Sequence, residues 1–388
     1  MRINRNSEKE LLALSMQYRA VAVVGPRQSG KTTLVRQVFP DKTYVNLENI
    51  DTRRFAMEDP RGFLSGLSEG AIINEIQRVP ELFSYLQQIL DENPVKGLFI
   101  LTGSNNFLLQ EKISQSLTGR VGYLFLLPLS LTELGKPLPA TSELIFRGFY
   151  PELYAERSMD AGKYYDNYIR TYVERDVRLI KNIVDLYAFE RFIRLCAGRT
   201  GQLLNINSLA IEVGVDNKTI NSWLSVLETS FITFRLQPFH KNYNKRIVKM
   251  AKLYFYDVGL ASSLLGIENK EQLALHPLRG NLFENLVVCE FLKTRFNQGK
   301  RNNLFFWRDN VGTEIDLLIE HTDRLLPVEI KSGQTITDEY FKSLNRWLKI
   351  SGIDEGYVIY AGNQIQNRSN GITVLPYTEL DNVNAYFK

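Results

Sequence analysis

The sequence predicts an α/β protein of more than one domain. In the N-terminal third, apolar runs of strand length alternate with segments of helical periodicity, and the first run leads into a glycine-bounded loop. This alternation is typical of a parallel sheet covered by helices. The 388 residues are about twice the length of a usual domain, so we expect two or three compact units.

Composition and charge fit a soluble globular protein. Hydrophobic residues make up 44% and charged residues 23% of the chain, and the formal charge of +4 permits contact with nucleic acid without arguing strongly for it. The only cysteines, Cys196 and Cys289, are far apart in the sequence, which excludes a disulfide framework and a zinc ribbon. No segment resembles a secretory signal or reaches the roughly 20 apolar residues of a membrane span. We therefore expect a cytoplasmic protein without a membrane partner.

The first apolar run opens a phosphate-binding loop. The stretch VAVVGPRQSGKTTLVRQV contains G-x-x-x-x-G-K-[ST] between a strand-like and a helix-like segment. The glycines let backbone N–H groups wrap phosphate oxygens, Lys31 reaches the β and γ phosphates, and the Thr32 hydroxyl binds Mg²⁺. The expected ligands are therefore ATP and Mg²⁺. The predicted nucleotide-binding residues are Gly25, Pro26, Gln28, Ser29, Gly30, Lys31, Thr32 and Thr33, with Asn105 further along.

Polar residues follow two of the later strand-like runs. Asn74 and Glu75 end GAIINEIQ, and Ser104 and Asn105 end GLFILTGSN. In a parallel sheet the carboxyl ends of strands face the ligand crevice. We predict that Glu75 orients or deprotonates the attacking water and that Asn105 contacts the γ-phosphate or that water. The alternative is that Glu75 and Asn105 only cap helices or turns.

Longer stretches of the chain resemble a widespread prokaryotic family of AAA-type P-loop ATPases that carry a C-terminal domain of unknown function. These stretches are YVNLENIDTRRFAMEDPRGFL, INEIQRVPELFSYLQ, LTGSNNF, QSLTGRV, YPELY, KLYFYDVGL, GNLFENLVVCEFL and PVEIKSG, and they cover nearly the whole chain in order. The resemblance implies that Arg120 stabilises charge on the transferred phosphate, in its own subunit or from a neighbouring one. It also favours a homo-oligomer, although the sequence leaves the oligomeric state open. A surface arginine after a glycine turn is the alternative.

Asn74 departs from the family pattern, which usually has aspartate at this position. A carboxylate there polarises a water on Mg²⁺, whereas an amide accepts one hydrogen bond from that water and adds no negative charge. Thr32 and Asn74 are the predicted metal-site residues of this domain. We expect weakened metal affinity, retained nucleotide binding and slowed hydrolysis.

The middle of the chain predicts a winged helix-turn-helix. Ser208 opens the helix SLAIEV, Gly214 turns the chain, Asn217 caps the helix KTINSWLSVLE, and SFITFRL returns as a strand. The residues presented to DNA would be Asn217, Lys218, Thr219 and Asn221. A packing adaptor between domains is the alternative. The basic residues that follow would grip a phosphate backbone or form a solvated face; they are Lys241, Lys245, Arg246, Lys249 and Lys252.

The C-terminal part pairs an amphipathic helix, which carries Glu284, with two strand-like runs, EIDLLIE and LPVEIKSG. Glu329 and Lys331 share a strand face because the strand period is two. If the register brings Asp316 opposite them, two carboxylates can hold Mg²⁺ and the ammonium can stabilise phosphate charge. The order resembles the restriction-endonuclease-like superfamily, whose signature implies Glu284, Asp316, Glu329 and Lys331 as catalytic residues and Asp316 and Glu329 as metal ligands. A structural salt-bridge cluster, or a domain that binds without cutting, is the alternative.

These observations predict three modules. They are a P-loop AAA-type ATPase domain at 1–140, a helical linker and winged helix-turn-helix at 141–240, and a restriction-endonuclease-like α/β domain at 241–388. The predicted function is ATP hydrolysis by a protein that acts on DNA, with a Mg²⁺-dependent nuclease site in the C-terminal domain. The alternative is a nucleotide-gated switch that binds DNA or a protein partner without cutting.

Overall fold

The computed structural model describes residues 3–103, 113, 115–172, 183, 185–239, 250–309, 311–321, 324–380 and 383. Several residues named above lie outside these ranges, namely Ser104, Asn105, Lys241, Lys245, Arg246 and Lys249. Within the described ranges, none of the helices combines the length and the apolar character that crossing a membrane requires.

A parallel sheet of five strands forms the N-terminal part of the chain. Its strands are β1 (Ala20–Val24), β2 (Thr43–Asn46), β3 (Ala71–Asn74), β4 (Phe99–Thr102) and β5 (Val121–Phe125), in the spatial order β2-β3-β4-β1-β5. Every pairing is parallel. This confirms the predicted α/β class and the predicted parallel sheet.

Helices cover both faces of this sheet, which is why its central strands are apolar throughout. The helices are α1 (Glu8–Gln17), α2 (Lys31–Val38), α3 (Ile50–Glu58), α4 (Pro60–Ser65) and α5 (Leu82–Glu92). Leu11 of α1 and Leu34 of α2 pack with Val21 and Val23 on one face. On the other face Leu86 of α5 packs in the same core as the alternate strand residues. The helices therefore fix the loop between β1 and α2 against a rigid sheet.

The middle of the chain is mainly helical. Its helices are α6 (Leu131–Leu134), α7 (Thr141–Arg147), α8 (Pro151–Ala155), α9 (Ala161–Thr171), α10 (Leu186–Ala197), α11 (Ile206–Val213) and α12 (Asn217–Thr229). Gly214 ends α11 at a φ of 84°, in the left-handed region, so the turn between α11 and α12 forms where glycine predicts it.

The predicted caps of α11 and α12 are wrong. Asn205 caps α11, because its side chain accepts the N–H of Ser208, and Asp216 caps α12, because its side chain accepts the N–H of Thr219. Ser208 therefore lies inside α11, and Asn217 is the first residue of α12 rather than its cap. The error arises because several cap-compatible residues are adjacent in the sequence and only the backbone geometry selects among them.

A mixed sheet of nine strands carries the C-terminal part. Its strands are β6 (Gln202–Leu203), β7 (Thr233–Pro238), β8 (Lys252–Phe255), β9 (Leu304–Arg308), β10 (Glu314–His321), β11 (Arg324–Lys331), β12 (Gly356–Tyr360), β13 (Gln366–Asn367) and β14 (Ile372–Pro376). The spatial order is β13-β14-β12-β11-β10-β9-β7-β8-β6. The antiparallel pair β7 and β8 joins the rest through a parallel pairing of β7 with β9. Position 240, the predicted module boundary, thus falls between two paired strands.

The remaining helices are α13 (Val258–Leu264), α14 (Arg279–Asn297) and α15 (Glu339–Ser351), with short 3-10 helices at Ile76–Arg78, Gln272–Ala274 and Tyr377–Glu379. The amphipathic character predicted for α14 is wrong, because the helix packs on β5 of the first sheet as well as on β8 and β11 of the second. Even its polar residues Glu290 and Lys293 are buried. They bond to the backbone of Leu131 and Leu129, which ties α14 to the N-terminal part.

Candidate functional site

The loop between β1 and α2 has the backbone shape of a phosphate cradle. Gly25 has a φ of 152°, and a Cβ added there would lie 2.1 Å from the carbonyl oxygen of Leu126. Gly30 caps α2 at a φ of 90°, and Gln28 adopts a φ of 58° although it is not glycine. Left-handed conformations at non-glycine residues are costly and cluster at ligand sites. The loop is therefore held in a specific shape by its surroundings.

Arg5 provides part of that support, and the sequence contains no pattern that points to it. Its guanidinium donates to the carbonyl oxygens of Ser29 and Leu127, each at 2.6 Å, and pairs with Glu133 at 3.0 Å. Arg5 is buried, so these charge-assisted bonds form away from water. They fasten the loop to the segment that follows β5.

Lys31 points back along the loop. Its ammonium donates to the carbonyl oxygens of Gly25 at 2.9 Å and Pro26 at 2.6 Å. Burial lowers the pKa of Lys31 to about 8, an effect that the negative charge of Glu75 opposes and the positive charge of Arg27 reinforces. A buried ammonium held by two loop carbonyl oxygens at the start of a helix is suited to bind a phosphate oxygen.

Asn74 lies at the centre of a row of polar side chains at the carboxyl ends of β2, β3 and β4. The strand register places it between Asn46 and Thr102. Its Oδ1 accepts the hydroxyl protons of Thr32 at 2.9 Å and Thr102 at 2.7 Å, and its Nδ2 donates to Oδ1 of Asn46 at 3.0 Å. Because the Thr32 hydroxyl donates its one proton to Asn74, the lone pairs of the hydroxyl oxygen remain available to a cation. These residues therefore fit a Mg²⁺ site.

Glu75, the next residue, shares a cavity with the loop. It adopts a left-handed φ of 57°, is 8% exposed, and accepts a hydrogen bond from Gln77 at 2.6 Å. The cavity has a volume of about 520 Å³. Its lining includes Arg5, Lys31, Thr32, Glu75, Pro151 and Tyr168. The carboxylate, the ammonium and the hydroxyl thus open onto one space large enough for a nucleotide.

The helical region reaches the same cavity. Tyr164 of α9 donates its hydroxyl proton to Oε1 of Gln28 at 2.6 Å, and Tyr168 of α9 lines the cavity wall. The loop residue in the left-handed conformation is therefore held from the helical region. Tyr164 and Tyr168 are both buried, so they pack in the core as well as contacting the loop or the cavity.

Arg120 lies away from this cavity. It immediately precedes β5, at the amino edge of the parallel sheet, whereas Lys31 and Asn74 lie at the carboxyl edge. A strand of five residues spans about 16 Å, so Arg120 does not reach the nucleotide site of its own subunit. Its guanidinium instead bonds both carboxylate oxygens of Asp91, at 2.6 and 2.8 Å. Of the two alternatives left open for Arg120, action in its own subunit does not fit this position.

The C-terminal residues Asp316, Glu329 and Lys331 come together as the spacing predicts. The antiparallel register pairs Leu317 with Val328, which brings Asp316 opposite Glu329. Lys331 donates to Glu329 at 2.6 Å and to Asp316 at 3.3 Å. Oδ2 of Asp316 also accepts the backbone N–H of Ile330 at 2.8 Å.

Glu284 of α14 has different partners. Lys252 of β8 donates to it at 2.9 Å, Tyr254 donates to it at 2.5 Å, and Lys252 also pairs with Glu314 at 2.5 Å. Lys252 is 2% exposed, so the suggestion that it grips a phosphate backbone is wrong. Among the described residues no three carboxylate, histidine or cysteine side chains form a group able to hold a metal ion. Glu284 therefore does not complete a three-residue metal site with Asp316 and Glu329.

Burial and charge set the protonation of this cluster. Burial raises the pKa of Asp316, but the ammonium groups of Lys331 and Lys252 outweigh it and leave the pKa below its usual range. Burial and the neighbouring charge of Asp316 raise the pKa of Glu329 well above its usual range. Burial raises the pKa of Glu284 to about 6, against the effect of Lys252. The cluster thus favours the neutral form of Glu329 and the ionised form of Asp316.

The exposed start of α12 carries few charges. Asn217, Lys218 and Asn221 are exposed, and Thr219 bonds to the capping side chain of Asp216 at 2.8 Å. Nδ2 of Asn217 donates to Asn207 of α11 at 2.5 Å. Lys218 is thus the cation among the four residues predicted to face DNA.

Three family descriptions match successive parts of the chain. An AAA domain matches residues 17–135, a domain of unknown function (DUF8612) matches residues 139–271, and a second domain of unknown function (DUF4143) matches residues 279–380. The AAA match covers the first sheet and the cavity residues from the loop to Glu75.

Related proteins match most of the chain. Uncharacterized proteins of Mycobacterium bovis and Mycobacterium tuberculosis are each 30% identical over 364 residues, which are 93% of this chain and 80% of the relative. An uncharacterized protein of Haemophilus influenzae is 24% identical over 249 residues, which are 60% of this chain and 58% of the relative.

Among solved structures, a Walker-type ATPase of Pyrococcus abyssi is 15% identical, with a TM-score of 0.47, and covers 68% of this chain and 96% of its own. Cdc6p of Pyrobaculum aerophilum is 13% identical, with a TM-score of 0.26, and covers 69% of this chain and 93% of its own.

Proposed function

We propose that this chain, which belongs to the same family as the mycobacterial proteins that match 93% of its length, hydrolyses Mg-ATP in the cavity beside Lys31 and couples hydrolysis to DNA. Its first domain is an AAA-type P-loop ATPase domain. The observation that carries this proposal is the meeting of Lys31, Thr32 and Glu75 on one cavity of about 520 Å³. These are the charge, the hydroxyl and the base that phosphoryl transfer to water requires.

Each residue has a task that follows from its position. The N–H groups at the start of α2 and the ammonium of Lys31 bind phosphate oxygens. Glu75 accepts a proton from the attacking water or orients it, since its carboxylate borders the cavity that contains the loop. Thr32 and Asn74 would hold Mg²⁺, which neutralises charge on the β and γ phosphates.

Calorimetric titration with ATP tests the binding part of this proposal. Lys31→Ala should weaken ATP binding by at least about a hundredfold, because it removes a buried charge that meets phosphate. Lys96→Ala, which removes an exposed lysine of the same domain, should bind ATP as the parent does. Equal binding by both variants and the parent would contradict the proposal.

The DNA part of the proposal is supported by the helix pair α11 and α12, their glycine turn and the β7–β8 pair that follows. A recognition helix in this arrangement presents its exposed first turn, here Asn217, Lys218 and Asn221. Lys218→Glu should weaken duplex DNA binding, measured by fluorescence anisotropy at fixed salt. Lys349→Glu makes the same charge change at an exposed position of α15 and should have little effect; equal loss in both variants would argue against α12 as the contact.

The C-terminal pair Asp316 and Glu329, bridged by Lys331, supports a Mg²⁺-dependent nuclease as the activity coupled to ATP. Two carboxylates beside a lysine have the chemistry for phosphodiester hydrolysis. Lys331→Ala should abolish Mg²⁺-dependent cleavage of duplex DNA, whereas Lys342→Ala, an exposed lysine of α15, should retain it.

A second candidate function is a nucleotide-gated switch that binds DNA or a protein partner without cutting. The observation that favours it is Lys252, a buried ammonium paired with both Glu284 and Glu314, since this internal cation already neutralises Glu284, a predicted residue of the nuclease site, and its charge also acts on Asp316. Under this function neither the parent nor Lys331→Ala cleaves DNA, and the partner's affinity differs between ATP and ADP.

A further inference from the structure

The amide of Asn74 has an orientation that a carboxylate would not need. Its oxygen faces the hydroxyls of Thr32 and Thr102, and its nitrogen faces Asn46. A flipped amide would direct an NH₂ group at Thr32 and occupy the lone pairs that a cation needs. Both ends of an aspartate at this position would be oxygens, so it could not be wrongly oriented. A neighbouring group must therefore fix the orientation of the Asn74 amide.

Asn46 is that neighbour. Its Oδ1 accepts Nδ2 of Asn74 at 3.0 Å and also accepts the backbone N–H of Glu48 at 3.1 Å. A backbone N–H is only a donor, so it fixes which end of the Asn46 amide is oxygen. That oxygen in turn fixes which end of the Asn74 amide is nitrogen. The backbone N–H of Glu48 thus sets the orientation of the Asn46 amide, and the Asn46 amide sets the orientation of the Asn74 amide, whose oxygen faces Thr32.

Burial and strand register favour the observed orientation of the Asn74 amide over the flipped one. Asn74 is 6% exposed, and Asn46 and Asn74 are register partners at the ends of adjacent strands. In the flipped amide the Asn74 oxygen would face the Asn46 oxygen without a donor, and a buried polar group left unpaired costs about 1–3 kcal/mol, so the Asn46 oxygen weighs strongly against the flip. The hydroxyls of Thr32 and Thr102 can each rotate, so by themselves they do not select one orientation.

We propose that Asn46 is a positioning residue that sets the Asn74 amide with its oxygen toward Thr32 and so prepares the Mg²⁺ side of the cavity. This inference rests on the proposed Mg-ATP function of the same cavity. It identifies how the chain keeps an amide, which has only one oxygen, correctly oriented beside Thr32.

The test measures how Mg²⁺ tightens binding of a fluorescent ATP analogue, without any turnover. Asn46→Leu removes the acceptor and keeps the approximate volume, and it is made both in the parent and in the Asn74→Asp variant. We expect the half-maximal Mg²⁺ concentration to rise about tenfold in the parent background and less than about twofold in the Asn74→Asp background. Asn46→Asp, which keeps an acceptor, should remain at or below the parent concentration.

Melting temperatures of all variants should agree within a few degrees, so that loss of fold does not account for the change. An equal effect of Asn46→Leu in both backgrounds, or no effect in either, would overturn the inference while leaving the Mg-ATP function in place. If the parent binds the analogue with no response to Mg²⁺, or does not bind it, the Mg-ATP function and this inference both fail.

Discussion

The hydroxyl of Thr32 donates a hydrogen bond to Oδ1 of Asn74 over 2.9 Å, which joins the start of α2 to the end of β3. This contact places the two residues that would hold Mg²⁺ side by side. The effect of a charge at residue 74 can therefore be measured, because an amide and a carboxylate accept the same hydrogen bond but differ by one charge.

Asn74→Asp should lower the Mg²⁺ concentration needed for half-maximal ATP hydrolysis by about tenfold, since it adds a negative charge next to Thr32. Phosphate release measured across a Mg²⁺ titration checks this. Thr32→Ala in the same background serves as control, because it removes the neighbouring hydroxyl and should reverse the gain. Superimposable curves for the parent and Asn74→Asp would show that the charge at residue 74 has no role.

Lys31 predicts a pH dependence of ATP binding. Its pKa is lowered to about 8 by burial, so the free protein has a charged Lys31 below that pH and loses the charge above it. Phosphate binds the ammonium form, so ATP affinity measured in EDTA should be constant below about pH 8 and fall by up to about tenfold per pH unit above it.

The matched control for this measurement is Lys31→Arg, because a guanidinium keeps its charge throughout the range. The affinity of that variant should be lower overall but flat with pH up to about pH 10. A slope for Lys31→Arg as steep as that of the parent would assign the pH effect to some other group.

The position of Arg120 predicts that two subunits contribute residues to one catalytic cavity. It is too far from its own cavity, so a role in catalysis requires that it enter the cavity of a neighbouring subunit after leaving Asp91. Arg120→Ala should slow turnover on the order of 10³-fold without weakening ATP binding. Asp91→Ala frees the same arginine and should not reduce turnover.

Mixing two inactive proteins separates this role from a structural one. Glu75→Gln keeps Arg120 but lacks the proposed base, and Arg120→Ala keeps Glu75. Mixed assemblies should regain phosphate release, because one subunit supplies the arginine and the other the intact cavity. If the mixture is no more active than the sum of its parts, Arg120 does not act across subunits.

The buried ion pairs of Lys252 predict that the stability of a Lys252→Gln variant depends on pH. Lys252→Gln leaves Glu284 and Glu314 without their buried cation and should lower the free energy of unfolding by about 3–5 kcal/mol at pH 8. The pKa of Glu284, already raised by burial to about 6, rises further in this variant. The folded protein then binds a proton that the unfolded chain releases, so the variant loses stability as pH rises and its defect is smaller at about pH 5 than at pH 8.

Urea unfolding at the two pH values measures this difference. Lys252→Gln combined with Glu284→Gln is the control, because it also removes one buried negative charge and should recover part of the stability at pH 8. A defect of equal size at both pH values would mean that Lys252 contributes by packing alone.

The sequence predicts that Lys31, Thr32 and Glu75 lie close together because the motifs that carry them are local. Lys31 and Thr32 follow the loop within one motif, and Asn74 and Glu75 end a strand whose apolar run is unmistakable. Asn46 and Thr102 also end strands, so the same reasoning about the carboxyl edge could have found them.

Contacts between distant segments are not predictable in this way. Nothing in the neighbourhood of Arg5 or Lys252 indicates that the first supports the loop or that the second is buried against α14. The predicted use of Lys252 failed because a basic residue in a charged stretch is usually exposed, and the strand pairing of β8 with β7 overrides that tendency. The assignment of Arg120 to the cavity of its own subunit did not fit the structure, because a motif shows which residues are neighbours in sequence and does not show at which edge of the sheet they lie.

Phosphate release from Mg-ATP by Glu75→Gln beside the parent tests the central claim most directly, with Lys31→Ala as background and ATP binding measured on the same samples. We predict that Glu75→Gln binds ATP as tightly as the parent does and releases phosphate about 10²–10³-fold more slowly. Turnover by Glu75→Gln equal to that of the parent, or a parent that binds Mg-ATP and releases no phosphate above the Lys31→Ala background, would contradict the claim.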